Sequence, residues 1–354
     1  MVTSRDVARL AGVSQATVSR VIQDRSNVRP ATKERVQKAL KDLGYVPNAM
    51  ARAMRTQRSG IVGVVVARLT NPFFPQLLDA LSEALADAGM KMFLWSSSDG
   101  HSDRAAITAF KGMSLDSVIF TTAQSDSEAL SEAIDLGVPL VLINRSLEWV
   151  RCDQVTSDNM TGGATVAEYF LQNGHSRVGL VGGDPRTSTG LERSLGYTSR
   201  LEELGSGLAK SMHHTCDFTH EAGMLATQAM LRDAKPPSAI FCANDLLAFG
   251  ALSAARVEGV RVPEDLWLVG YDDIDMASWP VFNLTTVRQP TADMARAAVT
   301  ALIERAVDPS RPFRHIRFTG ELIVRGSTGN VPMAAPSERQ AAAGENSGTG
   351  VNAI

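Results

Sequence analysis

The 354-residue sequence lacks an apolar segment long enough to cross a membrane. The longest aliphatic run near its front, residues 61–67, is about a third of the length that a spanning helix needs and is typical of a buried strand. Its first residues, MVTSRD, contain no apolar region of the kind found in secretory signals. We therefore expect a cytoplasmic protein that does not associate with membranes.

The sequence also has few cysteines: Cys152, Cys216 and Cys242 are the only three. Their odd number and their spacing argue against a disulfide framework and against a zinc-type site. Simple core or near-surface thiols are the interpretation that remains. We therefore expect a reducing compartment and no metal centre.

Motifs of common enzymes are missing as well. The pair Gly182-Gly183 lacks the spacing of a dinucleotide-binding loop, and the sequence contains no P-loop. Residues 187–190, TSTG, offer hydroxyl groups without the pattern of an esterase nucleophile. His213 and His214 have no partner at metal-binding spacing. These absences predict a protein that is not an enzyme, has no catalytic residues and needs no cofactor.

Charge is distributed very unevenly along the chain. Residues 1–58 contain twelve Lys and Arg but only four Asp and Glu, whereas the remaining residues contain 23 and 34. The net charge of −3 therefore hides a head near +8 and a body near −11. A basic module on an acidic body is the electrostatic signature of a protein that docks on phosphate groups.

Two short helices are predicted within this basic head. Thr3 and Asp6 have the spacing of a capping box at the start of the first helix, and Gly12 is expected to end it. Ser14 is a suitable N-cap for a second helix that reaches about residue 22. Two short helices joined by a turn that contains glycine are typical of a helix-turn-helix.

The second helix has two chemically different faces. Val18, Val21 and Ile22 fall with Ser14 on one side, which is mostly apolar and expected to pack inward. The other side carries small or hydrogen-bonding residues: Gln15, Ala16, Ser19 and Arg20. Such side chains can contact base edges in a major groove.

A third helix is expected after Pro30, with Thr32 as its N-cap and Gly44 as its C-cap. Its apolar positions recur with helical spacing, which predicts one buried face. This buried stripe comprises Val36, Ala39, Leu40 and Leu43.

Residues 5–21, RDVARLAGVSQATVSRV, and residues 43–55, LGYVPNAMARAMR, resemble the headpiece and hinge of the LacI/GalR family of bacterial transcription regulators. The resemblance implies that Gln15, Ala16 and Arg20 read bases. Phosphate contacts are implied for Ser14, Thr17, Ser19 and Tyr45. The alternative, a helical bundle that binds no nucleic acid, is disfavoured by the concentrated positive charge.

The segment of residues 47–59 is predicted to be a hinge. Asn48 is an N-cap signal, and the alanines and methionines after it favour a helix that is too short to be stable alone. It should fold only against DNA and a second copy of the chain. The resemblance implies that Met54, where the family usually has Leu, and Arg55 reach the minor groove. The alternative is a linker, although plain linkers are richer in Gly, Ser and Pro.

From residue 61 apolar strands alternate with amphipathic helices. Strands are predicted at residues 61–67, 91–95, 117–121 and 138–143, and, in a second series that begins near Val155, at residues 178–181, 239–242 and 266–269. Helices are predicted at residues 73–88, 102–113, 126–136, 161–172, 191–204, 220–232 and 245–258. This alternation is typical of parallel sheets that are covered on both faces, and two such series predict two doubly wound lobes.

The chain is therefore assigned to the α/β class, with an N-terminal helix-turn-helix headpiece in front of the two lobes. The resemblance implies a body similar to periplasmic binding proteins, in which the chain crosses between the lobes three times and a helix at residues 291–306 returns to the first lobe. The predicted division is residues 1–46 for the DNA-binding domain, 47–59 for the hinge, 60–330 for the effector-binding and dimerisation body and 331–354 for a disordered tail.

Polar and aromatic residues follow the predicted strands and would line a cleft between the lobes. Guanidinium, carboxylate and amide groups can hold adjacent hydroxyls of a sugar, while aromatic rings cover its apolar face. The resemblance places effector contacts at matching positions. The predicted contacts are Phe73, Phe74, Asn144, Ser188, Thr189, Arg193, Phe218, Asn244 and Asp272.

Several of these residues also have a purely structural interpretation. Phe74 is by residue type more often part of a core than a ligand contact. Arg193 could instead form a salt bridge between the lobes. Asp273 and Asp275 could suggest a metal, but no histidine or second carboxylate cluster accompanies them.

Together these features predict a dimeric, sequence-specific DNA-binding repressor that recognises a near-palindromic operator. A sugar, sugar derivative or nucleobase-like effector in the cleft would set operator affinity by changing the angle between the lobes. Two alternatives are a solute-binding protein of a transporter and a DNA binder that is insensitive to effectors. The sequence leaves open whether the effector releases the operator or promotes its binding.

We expect assembly to stop at a homodimer. The resemblance implies that tetramers can use a C-terminal helix with leucine heptads, and residues 331–354 contain no leucine. Light scattering should return the mass of a dimer, both for the full chain and after removal of residues 331–354. A tetramer that survives this truncation would contradict the prediction.

Overall fold

The computed structural model describes residues 2–22, 28–45, 59–66, 69–96, 115–123, 128–135 and 137–329. These ranges contain a helical head and a body with two six-stranded sheets. The predicted hinge, except for Ser59, lies outside the described residues, as do the predicted tail and the helix expected at residues 102–113.

The head contains three helices, and its first turn shows the predicted capping box. The helices are α1 (Ser4–Ala11), α2 (Gln15–Ile22) and α3 (Pro30–Asp42). Thr3 donates hydrogen bonds from its amide and its hydroxyl to Asp6 Oδ2, at 3.0 and 2.7 Å. These bonds lower the pKa of Asp6. Gly12 ends α1 at a φ of 62°, and Ser14 Oγ caps α2 by accepting from the Thr17 amide at 3.2 Å.

The start of α3 differs from the prediction. The helix begins at Pro30 with Arg29 at the N-cap, so Thr32 lies within the first turn and is not the cap. Proline suits this first position because its missing N–H would have had no partner there and its fixed φ is already helical. The C-cap is Leu43, and not Gly44 as predicted; Gly44 follows it in the left-handed conformation at a φ of 59°. The core that joins the three helices consists of Val7, Ala8, Ala11, Val18, Val21, Val36 and Ala39.

The first lobe is built on a fully parallel sheet. Its elements are β1 (Ile61–Val66), α4 (Phe73–Asp87), β2 (Lys91–Ser96), β3 (Ser117–Phe120), α5 (Glu128–Asp135), β4 (Leu140–Ile143), β5 (Asp153–Ser157) and, from later in the chain, β11 (His315–Phe318). The strand order is β11-β5-β4-β3-β1-β2. Asp116 secures the start of the body, because its carboxylate accepts hydrogen bonds from the amides of Ser59 and Gly60 at 2.6 and 2.8 Å.

The strand β5 corrects the predicted division of the chain. It was expected to open the second series near Val155, but it pairs with β4 and β11 in the first sheet. The second lobe therefore begins only at residue 159. Asp153, at the start of β5, is buried. Its charge is compensated because the Arg305 guanidinium donates to its carboxylate at 2.9 Å. Alternation along a sequence shows that a strand exists, but not which sheet it joins.

The second lobe has a sheet of order β12-β10-β9-β8-β6-β7, in which β12 alone is antiparallel to its neighbour. Its elements are α6 (Asn159–Gln172), β6 (Val178–Gly182), α7 (Ser188–Glu203), β7 (His213–Thr215), α8 (His220–Leu231), β8 (Ala239–Cys242), α9 (Asp245–Val257), β9 (Trp267–Asp272), β10 (Thr285–Arg288) and β12 (Glu321–Ile323). The predicted helices and strands are confirmed here to within a few residues. The strands β10, β11 and β12 were not predicted, although other strands of four residues, such as β8, were.

The three predicted crossings between the lobes run side by side. The Asp158 amide, in the first crossing, donates to Phe318 O in the third at 2.7 Å. A Cβ atom on Gly320 would lie 2.9 Å from Arg288 O and 3.7 Å from Ser157 Oγ. The second crossing leads into α10 (Thr291–Val307), which packs on α4, β4 and β5 of the first lobe as predicted.

Close contact between α6 and α7 supports the edge of the second lobe that faces the first. A Cβ atom on Gly163 would lie 2.3 Å from Arg193 O, and one on Gly196 would lie 2.0 Å from Met160 O. Both contacts are with backbone atoms, which cannot move aside as a flexible side chain would. The two helices therefore approach as closely as they do only because these positions are glycine.

Gly196→Ala should separate α6 from α7 and destabilise the protein by about 1–3 kcal/mol, the usual cost of overpacking. The control is Gly207→Ala, since Gly207 has open space around its Cα. Urea unfolding followed by circular dichroism should show a lower midpoint for the first variant and an unchanged one for the second. Equal stability of the two variants would show that α6 and α7 can move apart at little cost in free energy.

Candidate functional site

The outer face of α2 is exposed as predicted. Gln15, Ala16 and Arg20 are exposed, while Val18 and Val21 on the opposite face are buried in the head. Gln15 is held in place, because its Nε2 donates to Ser4 Oγ at 2.7 Å. The head therefore presents a compact polar surface on a helix whose other side is anchored.

The residues assigned to phosphates lie beside this face. Ser14 and Thr17 share a hydrogen bond of 2.9 Å between their hydroxyl groups, and Ser19 is half-buried on the next turn. Tyr45 follows α3 and packs partly against the head core. Met54 and Arg55 lie outside the described residues. Phosphate contact by Ser14, Thr17, Ser19 and Tyr45 stays a prediction.

A second candidate site lies where the two lobes meet. The amide of Ser146, after β4, donates to Ser188 Oγ at the start of α7 at 2.9 Å, and the Ser146 hydroxyl donates to Glu192 at 3.3 Å. Ser157, at the end of β5, approaches the Tyr271 hydroxyl of β9 at 3.4 Å. The carboxyl ends of strands from both lobes therefore face each other, which is where α/β proteins bind ligands.

Arg193 on α7 is the most highly connected side chain of this region. Its Nε donates to Asn159 Oδ1 at 2.9 Å, and its Nη1 donates to Ala243 O at 2.7 Å. The same Nη1 lies 3.1 Å from Asp272 Oδ1, and the guanidinium carbon lies 3.7 Å from the centre of the Tyr271 ring. Only 3% of the side chain is exposed. A guanidinium this deeply buried needs such partners.

Asp272 completes this pair from the end of β9. Its Oδ1 also accepts from Gln289 Nε2 at 2.7 Å. Burial raises the pKa of Asp272, and the Arg193 charge opposes this increase. Both partners belong to the second lobe, so the alternative of a salt bridge between the lobes is wrong. The φ of 114° at Asp272 is rare for a residue with a side chain, and such strain is often found at functional sites.

Asn244 follows β8 and Phe218 follows β7, the two strands that flank β6 in the same sheet. Asn244 Oδ1 caps α9 by accepting from the Leu247 amide at 2.9 Å, which leaves its NH₂ group as the part that can donate to a ligand. Phe218 is half-buried, and its ring lies against Gly183, where a Cβ atom would come within 2.1 Å of the ring. Gly183, directly after β6, therefore makes room for an aromatic ring.

The remaining predicted contacts differ in how far they are buried. Phe73 and Phe74, at the start of α4, are 3% and 6% exposed and their ring centres lie 5.7 Å apart in an edge-to-face arrangement. Both rings belong to the core of the first lobe, the structural role considered for Phe74. Asn144 ends β4 at a φ of 72°, and Thr189 is buried in the first turn of α7. Their contact with a ligand stays a prediction.

Sequence reasoning missed Asn159, whereas it placed Arg145, Asp245 and Tyr271 in segments at strand ends that could line the cleft without assigning them a contact. Asn159 and Tyr271 hold Arg193, and Asp245 accepts from the Ile274 amide at 2.9 Å and from the Thr286 hydroxyl. Burial raises the pKa of Asp245, and the nearby Asp272 charge adds to this effect. A buried charge has no sequence signature of its own, so only the burial in the fold reveals these residues.

Asp273, one of the two acids considered for a metal, is engaged by two guanidinium groups. Arg288 Nε donates to Asp273 at 2.7 Å, and Arg325 Nη2 lies 2.6 Å from the other oxygen. These two arginines therefore already give Asp273 the positive charge that a bound metal ion would otherwise supply. Within the part of the chain that the structure describes, no group of three or more His, Cys, Asp or Glu is placed to hold a metal ion, and no helix is long and apolar enough to cross a membrane.

Comparisons with known proteins agree with this geometry. Residues 3–48 match the family model described as bacterial regulatory proteins of the lacI family, and residues 167–328 match a periplasmic binding protein-like domain. The repressor PurR of Photobacterium profundum is 31% identical over 330 residues, which cover 92% of this chain and 98% of that protein. The chain belongs to the LacI family. It is a helix-turn-helix transcriptional regulator, and its relatives are transcription regulators, not enzymes.

Other LacI-family proteins cover the same span. The regulator CelR of Thermobifida fusca is 33% identical, with 91% of this chain and 96% of that protein covered. A solved complex of CelR with cellobiose superposes with a TM-score of 0.72 at 31% identity, covering 92% of this chain and all of that one. The lac repressor dimer bound to operator and the anti-inducer ONPF gives a TM-score of 0.81 at 25% identity, covering 92% and 99%.

Arg20→Ala should weaken binding to operator DNA by about 1–3 kcal/mol and binding to random DNA much less, because a base contact is lost. The control is Arg9→Ala, which removes the same charge from an exposed position on α1. That variant should change both affinities by a similar factor. Fluorescence anisotropy at fixed salt would measure them, and equal losses for Arg20→Ala on both DNAs would make Arg20 a phosphate contact.

Proposed function

We propose that this LacI-family regulator is a homodimeric repressor whose two heads bind the halves of a near-palindromic operator. Residues 1–46 form the DNA-binding domain, 47–59 the hinge, 60–330 the effector-binding and dimerisation body, and 331–354 a tail. The anchored, exposed face of α2 supports base reading by Gln15, Ala16 and Arg20. Met54 and Arg55 of the paired hinges enter the minor groove at the operator centre.

A small metabolite that binds between the lobes sets the affinity for the operator. The observation that carries this proposal is the buried Arg193–Asp272 pair at the meeting point of the lobes, flanked by the Asn244 amide and the Phe218 ring. A fixed guanidinium and carboxylate hold adjacent oxygens, and an aromatic ring covers an apolar face. This set suits a sugar or a sugar derivative, and the relative CelR was solved with cellobiose.

The contacts between the lobes explain how a ligand would act on the hinges. Three parallel crossings join the lobes, and the hydrogen bonds of Ser146 to Ser188 and Glu192 span the gap beside them. Rotation of one lobe about the crossings breaks or remakes these bonds. An effector that prefers one arrangement shifts the population, and the separation of the two hinge segments in the dimer changes with it.

This function requires no catalytic residue and no cofactor, and it is exercised where operator DNA lies, in the cytoplasm. A solute-binding protein would have no use for the base-reading face of α2. A DNA binder that ignores metabolites would have no need of a strained, buried ion pair at the meeting point of its lobes. The effector contacts are Phe73, Phe74, Asn144, Ser188, Thr189, Arg193, Phe218, Asn244 and Asp272.

Arg193→Ala should abolish the response to the effector while leaving operator binding without effector intact. Removing one partner of a buried charge pair costs about 2–5 kcal/mol, or roughly thirty- to several-thousand-fold in affinity. Asp272→Asn keeps the acceptor for Gln289 but removes the charge, and it should lose the response with less effect on stability. A thermal-shift screen of the full chain against a metabolite panel that includes cellobiose, followed by operator binding with the hit, measures both properties.

The matched control is Arg232→Ala, since Arg232 forms an exposed ion pair with Glu258 in the same lobe. This variant should respond as the wild type does. Wild-type effector affinity in both Arg193→Ala and Asp272→Asn would place the effector elsewhere.

A further inference from the structure

Among the residues that the structure describes, Arg145 is a buried cation with no ion-pair partner of its own. It follows β4 of the first lobe and is only 9% exposed. Its Nε is buried and has no hydrogen-bond partner, and among the described residues no carboxylate lies within ion-pair distance of its guanidinium. Other buried arginines of the body, Arg193 and Arg305, are paired with Asp272 and Asp153. Arg145 therefore stands apart from them.

The charges that act on Arg145 come from the second lobe. Desolvation and, to a smaller extent, the Arg193 charge lower the pKa of Arg145 to about 10, although the Asp184 and Asp272 charges oppose them. The side chain thus remains charged at neutral pH. Because it starts in the first lobe and interacts with three charged residues of the second, it lies between the lobes at the candidate effector site.

The carboxylates near Arg145 in the described part of the chain are engaged by other groups. Asp272 is occupied by Arg193 and Gln289, and Asp184 accepts three hydrogen bonds from the Arg186 side chain. Glu192 accepts from Ser146 and Asn159. A buried guanidinium that repels a second one is costly unless an anion compensates for it. Within the described residues, Arg145 therefore has no carboxylate at ion-pair distance, and it lies beside the proposed effector site.

We propose that the effector carries an anionic group, a carboxylate or a phosphate, which pairs with the Arg145 guanidinium. This inference rests on the proposed effector site and narrows its ligand to an acidic sugar derivative. A neutral sugar could accept hydrogen bonds from Arg145 but would leave its charge uncompensated. A guanidinium presents parallel N–H donors that match two oxygens of a carboxylate or phosphate.

The position of Arg145 also gives the anion a role between the lobes. Arg145 belongs to the first lobe and Arg193 to the second, and the two like charges repel each other. An anion beside Arg145 cancels part of this repulsion and so favours the arrangement in which the lobes are close. Binding of the acidic group and the relative position of the lobes are therefore coupled.

The test measures the thermal unfolding midpoint, Tm, of the full chain with four probes at constant ionic strength. The probes are inorganic phosphate, D-gluconate, D-glucose 6-phosphate and neutral D-glucose. We expect a saturable rise of a few degrees in Tm with phosphate and with at least one anionic sugar, and no rise with D-glucose. A response to gluconate but not to glucose 6-phosphate assigns a carboxylate, and the reverse assigns a phosphate group.

Three variants connect this response to Arg145. Arg145→Met should lose the anion response, and without anions its Tm should equal or exceed that of the wild type, because an uncompensated buried charge has been removed. Arg145→Lys should keep a weaker response, since it retains the charge but not the paired donors. Arg151→Met is the control, because Arg151 is an exposed residue of the same lobe. It should respond as the wild type does.

Three results would overturn the proposal. The first is an anion response that Arg145→Met retains, and the second is a wild type that responds to none of the anions. The third is a lower Tm for Arg145→Met than for the wild type without anions, which would show that the fold itself satisfies the guanidinium. Operator binding measured without any small molecule is a separate readout. Its loss would count against the proposed regulator, whereas intact operator binding with no anion response would count against the anionic effector alone.

Discussion

The arrangement of helices and strands at the ligand-facing edge of the second lobe depends on the buried guanidinium of Arg193. Its partners come from α6, from the residue after β8 and from the end of β9, so one side chain joins three elements that the sequence places far apart. Because an unpaired buried charge is costly, each partner is held in place by the need to satisfy the others. The strained backbone at Asp272 and the close contact of α6 with α7 through Gly163 both follow from this arrangement.

The site between the lobes is a consequence of parallel sheets joined by parallel crossings. Parallel strands bring all their carboxyl ends to one edge, and three adjacent crossings set the two edges opposite each other. The lobes are held at this level by a few polar contacts, such as Ser146 to Ser188, which are easily exchanged for contacts with a ligand. The same geometry that creates the site therefore allows the lobes to rotate.

Sequence reasoning succeeded where the physical cause is local. The capping box of Thr3 and Asp6, the glycine at position 12 and the two faces of α2 depend on residues within one or two turns of each other. It failed where the cause is distant, since β5 joined the first sheet and the missed strands β10, β11 and β12 are stabilised by their neighbours in the sheets. One failure was local: the N-cap of α3 is Arg29, because Pro30 already suits the first turn.

What the sequence determined by itself is the presence of a basic helix-turn-helix head, the alternation that produces two α/β lobes and the candidate residues at the strand ends. Periodicity, capping and charge are local properties, so they can be read without knowing the fold. The tertiary structure alone decided that Arg193 pairs with Asp272 within one lobe, that Phe73 and Phe74 belong to a core, and that the buried Nε of Arg145 has no hydrogen-bond partner among the described residues. Burial and pairing are properties of distant residues brought together, and no local pattern encodes them.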